Sequence, residues 1–225
     1  MYVPQHFELG AERTRALLVT PGVGNLVTVH DQGPLATLVP FYLDESRDVL
    51  VTHLVRNNPQ VREPMTGPGM VLLDDVDAYV APAYYATNEE TPNVPTWDYV
   101  TVHVWGPVHV DPSPQRSLEV AQALTQRMER EDVLTPVGRD KLERMARAIV
   151  AVEVGIERVQ GKAKMSQNRH PDDVRSLIDH MERLGEHDIV RFLQEVSLPY
   201  AEARFATIAR LRGARSLEEE IRSFH

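Results

Sequence analysis

Val150-Ala151-Val152-Glu153-Val154-Gly155-Ile156-Glu157 is the stretch on which the fold turns. Its branched aliphatic residues alternate with small or charged ones, and a period of two places the two sets on opposite faces of a strand. The pattern predicts a strand with one wet face, ending at Gln160-Gly161. Two segments of helical period precede it. Ser113-Pro114 reads as an N-cap with proline at the first helical position, followed by Leu118, Ala121, Leu124, Thr125 and Met128 at helical spacing. Leu142, Met145, Ile149 and Val150 continue that spacing around residues 136–148. Farther upstream the period of two returns. Strands are expected at 25–30, 34–43 and 49–54, with turns at Asp31-Gln32-Gly33 and 44–48. A further pair, 69–73 and 78–81, is expected across Asp74-Asp75, and one long strand over 96–110.

These elements predict an α+β fold: an antiparallel split β-barrel over about residues 24–164, with the helices of 114–148 inserted between two strands. Beyond Arg169 the chain reads as helical. Val174, Leu177, Ile178, Met181 and Leu184 form an apolar stripe stopped by Gly185; Ile189, Val190, Leu193 and Val196 form another, ended before Pro199. Helical segments at 200–211 and 217–224 follow, the last opened by a Ser216…Glu219 capping box. The expected division is a barrel domain, 1–169, and a C-terminal helical region packed on it, 170–225. The 85–95 loop is the expected mobile element.

Composition limits what such a protein does. The absence of cysteine excludes a disulfide framework, a Cys-ligated metal site and a thiol nucleophile. No apolar run approaches the roughly 18 residues of a membrane span, and Met1-Tyr2-Val3-Pro4-Gln5-His6-Phe7-Glu8 lacks the basic and apolar regions of a signal peptide, so a cytoplasmic location is expected. A net charge of −9 opposes duplex DNA, whose binding draws on Lys and Arg. No helix pair has a basic recognition face, although Arg204, Arg210, Arg212 and Arg215 make the tail locally basic. Gly-x-Gly-x-x-Gly, Walker A and Gly-x-Ser-x-Gly motifs are absent. His103 and His109 share a face of the expected long strand, but a metal reading needs a third ligand and none is evident. The plainer reading is two half-exposed strand histidines.

Three clusters carry possible ligand chemistry. His53-Leu54-Val55-Arg56-Asn57-Asn58-Pro59-Gln60 leaves a strand and enters a helical turn. His53, Arg56 and Asn58 suit a phosphate at a helix start, or else Asn58 is a plain N-cap ahead of Pro59. Trp97 and Tyr99 share a strand face, which serves either to wall an aromatic ligand or to pack a core or interface. Lys164-Met165-Ser166-Gln167-Asn168-Arg169 is dense in donors; it fits a flavin's pyrimidine edge or ribityl phosphate, or forms a surface cap before a helix starting at Asp172 or Asp173.

In order, these pieces resemble the PaiB family of FMN-binding negative transcriptional regulators. The match also draws on Met1-Tyr2-Val3-Pro4-Gln5-His6-Phe7, Pro34-Leu35-Ala36-Thr37 with Pro40, and Ala78-Tyr79-Val80 with Pro82 and Tyr85. Val94-Pro95-Thr96-Trp97 with Tyr99, and Val102-His103 with Gly106, complete it, and the likeness runs from residue 1 to about 195. The resemblance implies a homodimer with FMN at its interface: phosphate near His53, Arg56 and Asn58, ring near Thr37 and Trp97. Lys164, Ser166, Gln167 and Asn168 would reach the flavin, from the same chain or its partner. It implies a regulatory role in repressing sporulation and protease genes, with no catalytic residue identified. A flavin-dependent oxidoreductase, a haem-handling enzyme on the same barrel, and a dimer that has lost its cofactor are the alternatives. Leu38, Ala81, Tyr84 and Asp98 stand where the family usually has His, Ser, Trp and Asn, and these departures predict modest flavin affinity.

Overall fold

The structure, a computed structural model, describes residues 1–223, with side chains to residue 212. In chain order the elements are α1 (Ala11–Val19), β1 (Gly22–His30), β2 (Gly33–Asp44), β3 (Val49–Val55) and α2 (Pro59–Arg62). β4 (Gly69–Val80), β5 (Thr96–Gly106), β6 (Val108–Asp111), α3 (Pro114–Met128) and α4 (Arg139–Ala146) come next. β7 (Ile149–Gly155), β8 (Arg158–Lys164), α5 (Pro171–Leu184), α6 (His187–Phe192) and α7 (Leu198–Ser223) complete the chain. The strands form one sheet in the order β6-β7-β3-β2-β1-β4-β5-β8, antiparallel at β1–β2, β1–β4, β2–β3, β3–β7 and β6–β7. The fold is therefore α+β, an antiparallel split barrel with inserted helices and a C-terminal helix.

Residue contacts group the chain into two compact units. The first comprises Met1, Leu9–Asp75 and Thr101–Gly161. β5 and β6 are consecutive in the chain, yet they stand near opposite ends of the strand order, so this part of the sheet curls back on itself. The corner is Gly106-Pro107. The Gly155 and Glu157 N–H groups donate to the Pro107 and Trp105 carbonyls, each at 3.0 Å. A Cβ on Gly106 would sit 1.8 Å from the Gly155 carbonyl oxygen, so only glycine permits this approach. Inside the curl, Leu26, Phe41, Leu50, Val71, Val102 and Val152 are buried. Each such side chain contributes on the order of 1.5–3 kcal/mol. On the outer face α3, capped by the Ser113 hydroxyl, packs Val120 and Leu124 against Tyr42, Val51 and Ala151. Glu153, on the face expected to be wet, is held between Arg47 (2.7 Å) and Arg116 (2.6 Å).

The second unit comprises Tyr2–Glu8, Val76–Val100 and Lys162–His225, so residues 170–225 fall within it together with the ends of three strands. α5 buries Val174, Leu177, Ile178 and Met181 and stops at Gly185, whose φ of +80° suits glycine. The 85–95 loop, expected to be mobile, is anchored to this unit at Thr87 and Asn93. The Asp173 carboxylate takes the Thr87 N–H (2.8 Å) and hydroxyl (3.0 Å), and Arg169 donates to Asn93 (2.7 Å).

Several boundaries differ from expectation. β4 is one strand, not a hairpin: at Asp74-Asp75 the inward set changes from Gly69 and Val71 to Ala78 and Val80, so the acidic pair marks a change of facing. The 96–110 segment is two strands broken at Pro107, which separates His103 from His109. The strand expected to run to Gln160-Gly161 ends at Gly155, and β8 is a separate strand; α1 and β8 were not anticipated. Pro199 does not end a helix. A π-helical turn, Leu193–Ser197, widens the backbone just before it and absorbs the missing N–H, and α7 runs on from Leu198. The helical break expected near residue 212 is therefore absent, and Ser216 and Glu219 fall inside α7 rather than at a helix start; their side chains, and Phe224, lie outside the described residues.

Candidate functional site

In the first unit the strand exit of β3 is held by backbone demand. Asn58 caps α2, its Oδ1 accepting the Gln60 N–H at 2.9 Å ahead of Pro59, and its Nδ2 donates to Thr37 Oγ1 at 3.1 Å. Thr37 in turn donates to Gln60 Oε1. Thr37 and Asn58 are thus brought together around Gln60, a buried residue outside the expected set. Arg56 spends Nε and one terminal nitrogen on the carbonyls of Arg147 (2.9 Å), Pro112 (3.0 Å) and Ile149 (2.9 Å). These bonds clamp it in place. His53, half-buried on β3, has a buried Nδ1 without a partner among the described residues. Burial lowers its pKa, which favours the uncharged imidazole.

In the second unit the period of two along β5 turns Trp97 and Tyr99 outward and Asp98 inward. Trp97 is 51% exposed; its indole N–H donates to Asp77 (2.7 Å) and its ring meets Tyr79 edge-on at 5.8 Å. Asp98 is 1% exposed. Its Oδ2 accepts the Ser166 hydroxyl at 2.7 Å, while Oδ1 has no hydrogen bond among the described residues and lies 3.8 Å from Lys164 Nζ. Lys164 donates to Thr96 Oγ1 and to the Trp97 carbonyl (2.6 Å). Burial pushes the Asp98 carboxyl up to about 6, against the opposing pull of Ser166 and Lys164, and lowers Lys164 from the usual lysine range. The Tyr85 hydroxyl is likewise buried without a hydrogen bond among the described residues, and Arg169 lies over its ring at 4.3 Å.

Ser166 has a φ of +60°, a left-handed conformation that costs a non-glycine residue of the order of 1–3 kcal/mol and that clusters at functional positions. Gln167 is buried with both amide ends used, Oε1 by the Met165 N–H (2.8 Å) and Nε2 on the Ala163 carbonyl (2.7 Å), so it shapes the turn. Asn168 is exposed, its carbonyl accepting from Arg204. Sequence reasoning thus missed Gln60, Asp98 and Tyr85 as members of these clusters. The signals for Asp98 were its place among inward positions of an alternating strand and its departure from the Asn usual in the family that the sequence resembles.

Comparison with known proteins converges on this architecture. The family model described as "Putative FMN-binding domain" matches residues 1–158. The protease synthase and sporulation protein PAI 2 of Bacillus subtilis is 28% identical over 193 residues, covering 81% of this chain and 89% of that protein. Among solved structures, the FAD and heme binding protein from Mycobacterium smegmatis superposes with a TM-score of 0.51 at 22% identity, covering 69% of this chain and 71% of that one. The flavocytochrome Anf3 from Azotobacter vinelandii gives 0.51 at 15% identity, with 68% and 67% covered. These two likenesses establish the fold.

Proposed function

The chain belongs to the FMN-binding domain family whose model spans its residues 1–158, and from that premise we propose that it binds FMN as a homodimer and serves as a PaiB-type regulator. The observation that carries this reading is the family match itself, which takes in every strand from β1 to β7. Bound FMN supplies an isoalloxazine ring that exchanges electrons singly or in pairs.

The residues present fit such a ligand. A dianionic phosphate needs fixed cationic donors, and Arg56 is a guanidinium already immobilised by three carbonyls. Asn58 and Thr37 add oriented polar groups. In the second unit, Lys164 offers an ammonium, and Trp97 offers a half-exposed aromatic face. The buried oxygens of Asp98 and Tyr85 that lack a hydrogen bond among the described residues belong to a place that is not built for stability alone.

The regulatory reading rests on the PAI 2 likeness, and the acidic net charge favours action through a metabolite or another protein over direct contact with DNA. Titration of purified protein with FMN, followed by quenching of flavin fluorescence, tests the ligand. Saturable quenching is expected; none at saturating FMN refutes the reading. An absorption spectrum after loading distinguishes a flavin from the Soret band of a haem protein.

A further inference from the structure

Gln60 anchors a hydrogen-bond chain whose polarity is fixed by the backbone. The two protons on its Nε2 are shared among three acceptors, the carbonyls of Leu26 (3.0 Å) and Leu35 (3.1 Å) and Thr28 Oγ1 (2.9 Å). Carbonyls only accept, so the amide has one orientation, with Oε1 facing the Thr37 hydroxyl. Oε1 only accepts, so Thr37 must give it its single proton. Asn58 is fixed in the same way: Oδ1 accepts the Gln60 N–H, leaving Nδ2 to donate to Thr37 Oγ1. At the far end Thr28 Oγ1 meets His30 Nε2 (2.8 Å), and His30 Nδ1 meets the Pro64 carbonyl (3.0 Å). Thr37 is left with one free lone pair and no proton. Gln60 is 1% exposed, whereas Thr37 remains accessible at the half-buried end of the chain.

We propose that Gln60 is a positioning residue that makes Thr37 an acceptor-only reader of its ligand, so that this position selects the N3–H of a flavin's pyrimidine ring and rejects its carbonyls. This rests on the reading of FMN as the ligand and of Thr37 as one of its contacts. Oxidised isoalloxazine carries one ring N–H, at N3, while O2, O4, N1 and N5 only accept. A freely rotating hydroxyl meets either kind of edge; one whose proton is pinned to Gln60 meets only the donor.

The test compares FMN with 3-methyl-FMN, which lacks that proton, by flavin fluorescence quenching on the full chain. Wild type is expected to bind 3-methyl-FMN at least about tenfold more weakly than FMN. Thr37→Val should bring the two flavins within about twofold of each other, and Thr37→Ser, which keeps the hydroxyl, should restore the preference. Gln60→Met, which frees the Thr37 proton, should relax it; if that variant does not fold, the Thr37 pair reads the same ratio. Equal binding of the two flavins by wild type, or a preference that survives in Thr37→Val, overturns this inference while leaving FMN binding standing. Absence of FMN binding to wild type removes the ligand reading and this inference with it.

Discussion

Asp98 and Lys164 illustrate how burial sets the behaviour of a single side chain. The Asp98 carboxyl is raised to about 6 because its desolvation outweighs the help of Ser166 and Lys164. A raised acid favours the protonated form in the folded chain. The associated stability is fully present below the ordinary value of 3.8 and is lost as pH rises through about 6. Relative to Asp98→Asn, wild type should therefore lose stability between about pH 4 and pH 6, by about 3 kcal/mol at most, and run parallel to it above pH 7. Denaturant midpoints across that range check the expectation, and parallel curves throughout would contradict it. Lys164→Ala should weaken FMN at least about tenfold, roughly 1.4 kcal/mol, in the same fluorescence titration. Arg56→Ala is a less clean probe, since it also strips a donor from three carbonyls and should cost stability of the order of 1–3 kcal/mol. Lys164 and Ser166 were legible as a donor-rich turn because their chemistry is local. Gln60 and Tyr85 were not, because their significance comes from partners, or the lack of them, that only the folded chain supplies.

Among elements, the corner between β5 and β6 carries the sharpest steric demand. A methyl group on Gly106 meets the Gly155 carbonyl oxygen at 1.8 Å, backbone against backbone, so no side-chain movement relieves it. Gly106→Ala should therefore cost more than about 3 kcal/mol or abolish folding, whereas Gly67→Ala, which meets nothing within 4 Å, should be nearly neutral. Thermal melts of the two variants make the comparison, and a Gly106→Ala protein melting within a few degrees of wild type would show that the corner yields. Strands with large branched residues, such as β1 and β7, were readable because period-two burial is written in their aliphatic sets. β8 escaped because its buried positions are Gly161 and Ala163, too small to signal a face among Arg158, Lys162 and Lys164. α1 buries only Thr14 and Leu18 and has Gly10 at its N-cap, with no capping side chain, so neither periodicity nor a cap announced it. The acidic pair in β4 looked like a turn because a change of facing and a reversal of direction leave the same polar interruption in a sequence.

For the whole molecule, charge and surface pattern point to different kinds of partner. A chain of net charge −9 is expected to bind duplex DNA weakly and with steep salt dependence; nanomolar, sequence-selective binding at physiological salt would overturn the indirect regulatory reading. The apolar surface suggests a protein partner of a specific kind. On the outer face of β1 and β2 the register pairs Asn25 with Leu38, Val27 with Ala36 and Val29 with Pro34, and β4 adds Met70 opposite Val27. α3 covers the neighbouring strands at Tyr42 and Val51, but Leu38 remains 63% and Val23 51% exposed. A sheet face dominated by apolar side chains around the single amide of Asn25, with no charged residue in these pairs, is unfavourable in water and is most simply covered by the same face of a second copy about a twofold axis. A stable dimer of this kind buries at least about 1,200 Å² in total. Leu38→Glu places a carboxylate at the centre of that face and, by symmetry, near its own copy, so desolvation and like-charge repulsion both oppose association. Light scattering at micromolar concentration should give a dimer mass for wild type and a monomer mass for Leu38→Glu, with the circular dichroism of the two unchanged. FMN titration of the same variant then reports whether binding needs the second copy. A wild-type monomer, or a Leu38→Glu dimer of undiminished stability, would exclude this face as the interface.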